Sequence, residues 1–455
     1  MDVFDSLVGK LKARIIQRDS LLAKPGLYHF DNQSNNEHSR VHLRIDQDGC
    51  GILLVNASRL MHLNQTAAAM AYLILNQIPQ DTSLNVLSKA FAAPKSQIYA
   101  DYTQITKQIQ ELIRPDGDCP IHELELEVIP PFSTRPSAPY RMDLAITYRC
   151  NNDCFHCYNA RPRSFPELST NQWNDILDRL WSIGIPHVVF TGGEPTLRDD
   201  LPELISHAQQ NGQITGLNTN GRRLANRKYA DSLVEAGLDH VQITLESALP
   251  DIHDAMVNCH GAWKQTVNGI KNVLETPLYV MTNTTMLSTN HQTLAETLEF
   301  LAEIGVPTVG LNALIYSGRG LTVQTGLDEK ELPSLLSIAR DITFAHSQRL
   351  IWYTPTEYCN FDPMTLELGV KGCTAALYNM CVEPNGDVIP CQSYYQSLGN
   401  ILSTRWSSIW NHELSQTLRG RKKIPQKCVQ CALLAECGGG CPLLKQAIGK
   451  DTESN

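Results

Sequence analysis

The 455-residue sequence predicts an α/β protein in three parts: a small N-terminal α+β unit, a central parallel sheet, and a C-terminal domain stapled by metal. Three observations carry this expectation. Strand-like and helix-like segments alternate six times between residues 140 and 325, the pattern of a parallel sheet with right-handed crossovers. Six prolines crowd between Arg114 and Tyr140, which reads as an extended linker. Ten of the 14 cysteines fall in three groups, at Cys150/Cys154/Cys157, Cys373/Cys381/Cys391 and Cys428/Cys431/Cys437/Cys441.

Composition bounds the possibilities. Hydrophobic residues make up 42% and charged residues 19%, an ordinary globular mixture. The formal net charge of -9 argues against nucleic acid as the main partner. No apolar run approaches the roughly 18 to 20 residues needed to cross a bilayer, so no membrane role is expected. The N-terminus MDVFDSLVGK carries acids where a secretory signal carries positive charge, and a cytoplasmic location is expected. There, clustered thiols bind metal or do chemistry more often than they form disulfides. The scattered Cys50, Cys119, Cys259 and Cys359 read as small buried thiols, Cys359 least clearly because it lies just upstream of the second group.

In chain order, residues 1–24 show apolar positions at helical spacing. Four short strands follow, GLYHF, RVHLRI, GILLV and SRLMHL, then three helices. Asn64 is the expected cap of the first, Asp81 or Thr82 of the second, and residues 96–113 form the third. The unit 1–115 is therefore expected to be a winged-helix-like α+β domain, joined through a linker at 116–139. Strands are expected at 142–147, 187–191, 213–219, 240–246, 279–286 and 308–314 within a domain at 140–325. Residues 326–372 form a bridging region of mixed pattern, and 373–455 is too poor in apolar runs to fold without metal.

The first cysteine group, CNNDCFHC, has spacing C-x3-C-x2-C directly after the first central strand. Three thiolates on one loop suit a cubane iron–sulfur cluster with one iron left open. The alternative is zinc with His156 as fourth ligand. The second strand ends in TGGEPTL, where paired glycines allow close approach of backbone to a ligand.

Together these motifs resemble the radical S-adenosylmethionine (SAM) superfamily, which implies a partial (β/α)6 barrel. The resemblance implies that Cys150, Cys154 and Cys157 ligate a 4Fe–4S cluster whose open iron binds SAM. His156 falls where relatives place an aromatic residue near adenine. Gly192, Gly193, Glu194 and Pro195 match the loop that meets the SAM amino group. Asn218, Asn220, Thr244 and Glu246 lie at strand ends where relatives contact ribose or carboxylate. One departure is visible, since Val257 stands where the family pattern has arginine. The implied chemistry is reductive cleavage of SAM to a 5′-deoxyadenosyl radical, with electrons from an external donor such as flavodoxin or ferredoxin. No side chain is singled out as a catalytic acid or base.

The tail, with C-x12-G-x4-C at Cys373–Cys391 and C-x2-C-x5-C-x3-C at Cys428–Cys441, resembles the SPASM domain, which holds auxiliary iron–sulfur clusters. The resemblance implies that Cys373, Cys391 and Cys441 serve one cluster, with Cys381 as its fourth ligand. Cys428, Cys431 and Cys437 serve a second. Where the family closes that second cluster with a downstream cysteine, PLLKQAIGKDTESN has none, leaving an open iron, a non-cysteine ligand, Cys359, or no cluster as alternatives. The N-terminal unit resembles the peptide-recognition element of ribosomal peptide maturases, with leader binding implied near Ser58–Leu63 and the 96–113 helix. The implied function is radical modification of a precursor peptide by a thioether or carbon–carbon cross-link, or by epimerisation. A radical SAM–SPASM enzyme of tetrapyrrole, cofactor or protein maturation is the alternative. A zinc-binding winged-helix regulator is the alternative from another class.

Overall fold

The computed structural model describes residues 22–34, 37–56, 59–113, 136–422, 424, 426–447 and 449. The expected helix at 1–24, the body of the proline-rich linker, Cys119 and Ser58 lie outside these, apart from residues 22–24 and 136–139. The chain divides into two compact units, Met1–Ile129 with Ser182–Pro186, and Pro130–Trp181 with His187–Asn455.

The first unit is an antiparallel meander, β1 (Gly26–Ser34), β2 (Glu37–Ile45), β3 (Gly51–Val55) and β4 (Arg59–Leu63), in that spatial order. Three helices follow: α1 (Gln65–Leu75), α2 (Gln80–Ala90) and α3 (Lys95–Ile113). Leu43, Leu53, Val55 and Leu63 of the sheet pack on Ala68 and Ile109 of the helices. Asn64 caps α1 as expected, its side chain accepting from the Ala67 N–H at 2.9 Å. The second helix begins earlier than expected. Pro79, with φ fixed near its helical value, stands at the cap, and Asp81 falls inside the first turn, where its charge faces the helix dipole.

The second unit is built on one nine-stranded sheet. Six parallel strands appear where the β-α alternation put them: β5 (Arg141–Thr147), β6 (His187–Gly192), β7 (Ile214–Thr219), β8 (His240–Thr244), β9 (Tyr279–Thr285) and β10 (Thr308–Asn312). Helices between them, such as Thr170–Ile183 and Leu294–Glu303, supply the crossovers. Six of the seven residues of β5 are buried, as expected for a strand covered on both faces. This is the partial (β/α)6 barrel fold with two additions. The bridging region contributes a helix, Leu332–Ala345, and a seventh parallel strand, β11 (Arg349–Trp352), beside β10. The C-terminal domain contributes β12 (Asn379–Val382), parallel to β5, and β13 (Val388–Ile389), antiparallel to β12. The turn between them holds Gly386 at φ 88°, the left-handed conformation that favours glycine in hairpin turns. Cofactor-handling residues on such sheets gather at the C-terminal strand ends, and here those ends carry the first cysteine group.

Candidate functional site: a cysteine loop at the strand ends and a divided cysteine tail

The loop bearing Cys150, Cys154 and Cys157 leaves β5 at Thr147 and is pinned at once by the end of β6. Gly193 N–H donates to the Thr147 carbonyl and Glu194 N–H to the Arg149 carbonyl, both at 2.8 Å. This contact explains the paired glycines. A Cβ on Gly192, whose φ is 136°, would lie 2.1 Å from the Thr147 oxygen, and one on Gly193 would lie 2.4 Å from the Arg149 oxygen. The close approach that glycine permits is therefore first to the neighbouring chain that launches the loop.

Two arginines clamp the rest of the loop. Arg222, beyond β7, donates to the Asn151 carbonyl and to Asn152 Oδ1 (2.7 Å). Arg319, beyond β10, donates to the Asp153 and Cys154 carbonyls at 3.1 and 3.0 Å and pairs with the Asp153 carboxylate at 2.5 Å. Its own N–H donates to the Cys157 carbonyl. Val257, standing where the family pattern has arginine, touches the loop through its backbone, accepting from the Asp153 N–H at 3.0 Å. Sequence reading missed both arginines, because neither belongs to a contiguous motif. The only local signal for Arg319 is its pair of flanking glycines just past a strand.

His156 points from the loop to Glu246 beyond β8, with Nε2 3.0 Å from Oε1. Its side chain is 10% exposed, and its Nδ1 is buried without a hydrogen-bond partner among the described residues. Glu246 also accepts from the Thr285 N–H at 2.9 Å, while its backbone carbonyl accepts from Asn290 at 2.7 Å. Glu194 is fully buried and accepts from Thr196 N–H, Thr196 Oγ1, Thr219 Oγ1 and Asn220 N–H. Burial raises its pKa, against the pull of those four donors. Its carboxylate thus ties the end of β6 to the end of β7. Asn220 reaches back to the loop through Asn151 Oδ1 at 2.7 Å. Asn218 and Thr244 are half-buried and make no side-chain hydrogen bond among the described residues.

The three loop thiols suit a cluster and SAM on two counts. Cys150 is pushed up to about 11 by burial, and Cys154 is raised by burial and then by the Cys157 thiol, Glu246 and the Cys150 thiol. Soft sulfur ligands gathered this closely call for positive charge, which iron supplies on binding. The orphaned His156 Nδ1 beside them leaves a polar atom for a ligand to satisfy. Among the described residues, no three or more His, Cys, Asp or Glu side chains stand as a single-ion site.

In the tail, the cysteines have different neighbours. Cys373 is raised by burial and then by the Cys441 and Cys391 thiols beside it, and Cys391 is pushed up to about 12 by burial, with Cys441 adding to it. Cys441 therefore stands with Cys373 and Cys391. Cys428 instead neighbours Cys437, Lys427 and Glu357. The turn between Cys437 and Cys441 is left-handed at Gly438, Gly439 and Gly440, a conformation that glycine adopts without strain. Cys381 lies on β12, fully buried with Ala145 and Ile389. Its thiol is raised by burial, then chiefly by Asp143, with Glu383 and Cys391 adding.

Comparison with known proteins agrees with this geometry. Residues 144–301 match the radical SAM superfamily, and residues 373–432 match SPASM, an iron–sulfur cluster-binding domain. The chain is 28% identical over 336 residues to Fe-coproporphyrin III synthase of Methanosarcina barkeri, covering 67% of this chain and 83% of that protein. It is 26% identical over 318 residues to AdoMet-dependent heme synthase of Oleidesulfovibrio alaskensis, covering 65% and 80%. Among solved structures it resembles Streptococcus suis SuiB bound to precursor peptide SuiA, with a TM-score of 0.66 and 16% identity over 92% of this chain and 96% of that one. The regulator alternative falls with these matches. The chain carries a radical SAM domain followed by a SPASM domain, and it is an enzyme that works with 4Fe–4S clusters and S-adenosylmethionine.

Proposed function

We propose that this enzyme modifies a ribosomally made precursor peptide, forming a thioether or carbon–carbon cross-link, or epimerising a residue. The N-terminal unit carries the reading. Its meander ends on β4, whose outer edge has no partner strand among the described residues, and an extended leader can add there as a further strand beside α3. The likeness to SuiB supports it, because coverage of 92% of the chain takes in most of this unit. In this reading Cys150, Cys154 and Cys157 hold the cluster that binds SAM. The 192–195 loop, His156, Asn218, Asn220, Thr244 and Glu246 line the SAM site. Cys373, Cys391 and Cys441, with Cys381, hold one auxiliary cluster, and Cys428, Cys431 and Cys437 hold the other. When bound, cluster and SAM together supply a 5′-deoxyadenosyl radical that takes hydrogen from the substrate, with electrons from a donor such as ferredoxin or flavodoxin. The protein's own part is to fix the loop, orient SAM and exclude water.

A second reading, tetrapyrrole maturation, is favoured by the two synthases, which align with about two-thirds of the chain. Co-expression with a candidate precursor, followed by mass spectrometry, separates the two. Loss of two hydrogens from the peptide indicates a cross-link, and unchanged mass with inverted stereochemistry indicates epimerisation. Deleting residues 1–115 should abolish either change while SAM cleavage persists. Peptide modification that survives the deletion sinks the leader-binding reading. Conversion of an iron porphyrin with no action on any peptide favours the second.

A further inference from the structure

We infer that Cys359 is the fourth thiolate of the second auxiliary cluster, completing the set of Cys428, Cys431 and Cys437. The inference rests on the two-cluster reading of the tail and names a ligand that the SPASM pattern does not assign.

The segment Thr356–Cys359 is wrapped around the Cys437 sulfur. Tyr358 N–H donates to Cys437 Sγ at 3.4 Å, and the Cys437 thiol donates to the Thr356 carbonyl at 3.6 Å. N–H···S bonds of this kind are a lever on cluster potential. From the other side Lys427, next to Cys428, brings its ammonium 3.8 Å from Cys359 Sγ and 3.7 Å from Glu357 Oε2. Both ends of the triad therefore meet the same short turn, although 69 positions separate Cys359 from Cys428 in sequence.

The turn is braced to present Cys359. Asn360 and Phe361 N–H groups donate to the Glu357 carbonyl at 2.7 and 3.0 Å. Glu329 accepts from Asn360 Nδ2 at 2.9 Å and from the Glu357 N–H at 3.3 Å. Gly440, at φ 76°, makes room: a Cβ there would lie 3.1 Å from Glu357 Cγ and 3.3 Å from Glu357 N. Cys359 itself is exposed, as is Cys431, whereas Cys437 is buried. The two exposed thiols are open to incoming iron, and Cys437 is the buried member of the set.

The competing ligand is Glu357, whose Oε2 already faces Lys427 and accepts from Asn360 at 3.5 Å. Cluster iron favours thiolate over carboxylate, so the sulfur wins. On binding, the Cys359 S–H bond breaks, its proton passes to water and an iron–sulfur bond forms, with no electron transferred.

The test uses full-length protein, anaerobically reconstituted, with Cys150, Cys154 and Cys157 all replaced by alanine to silence the SAM-binding cluster. This parent should hold about eight irons. Adding Cys359→Ala should leave a cluster with one labile iron. After mild oxidation, electron paramagnetic resonance should then show a three-iron signal at least about tenfold above the parent, approaching one spin per chain. Cys359→Ser, which keeps an oxygen ligand, should give less of that signal, and Glu357→Gln should give none. If Cys359→Ala matches the parent in iron content and signal, the assignment is overturned, and a signal in Glu357→Gln alone would move it to the carboxylate. A Cys428→Ala/Cys431→Ala variant should lose about four irons. If it loses none, the two-cluster reading fails as well, which distinguishes that failure from the loss of Cys359 alone.

Discussion

Arg319 clamps the cysteine loop from beyond β10, while Val257 meets it through its backbone carbonyl. The Arg319 guanidinium holds two loop carbonyls and Asp153, whose carboxyl it draws below the usual range. Because Arg319 is partly exposed, these bonds are screened, and together they are worth about 1 kcal/mol. Arg319→Ala should therefore bleach the SAM-binding cluster roughly fivefold faster in air, read as decay of the iron–sulfur absorbance, with the fold unchanged. An unchanged rate would mean that Arg222 and the two glycines hold the loop alone. The cysteines, GGEP and His156 could be read from sequence because each motif lies within eight consecutive residues. Arg319 could not, since it meets Cys154 across 165 positions of chain. Glu194 shows a different limit. Its place in the motif is legible, but only the fold reveals that its oxygens are taken up by Thr196, Thr219 and Asn220.

At the scale of elements, β6, β7 and β8 are joined near their N-terminal ends by a histidine pair. His187 Nε2 lies 2.9 Å from His240 Nε2, above Gly216 of the intervening strand. A Cβ on Gly216 would come within 2.2 Å of the His240 ring, so the glycine is a packing requirement. Burial, with a smaller push from Arg141, lowers the His240 pKa to about 4. The folded chain then binds fewer protons here than the unfolded chain between pH about 6.5 and about 4, and stability drops as pH falls through that window. Chemical denaturation of the metal-free protein should show a loss of about 2 kcal/mol from pH 7 to pH 5 at this site. His240→Gln should flatten that slope; an equal slope in both proteins would refute the assignment. The sheet's six central strands were legible because β-α periodicity is local. Strand β11 was not, being four residues long, and neither was β12, whose membership depends on a partner far back in the chain.

For the molecule as a whole, the seam between β5 and β12 decides what counts as a domain. The SPASM segment supplies a strand of the same sheet, with Cys381 opposite Asp143 and Val382 opposite Leu144. A chain ended at residue 372 should expose the β5 edge and lose cooperative unfolding, measured as a flattened thermal transition and a lower soluble fraction. A sharp transition from that truncation would mean the two motif-defined domains are separable after all. The same seam sets a clock on biosynthesis. Arg141 pairs with Asn379, so the partner of β5 leaves the ribosome roughly 240 residues later. At about 5–20 residues per second, the first cysteine loop waits on the order of 10 to 50 seconds beside an open strand edge. Iron that arrives before Asn379–Val382 has emerged would meet a loop whose launching strand still has one edge unpaired.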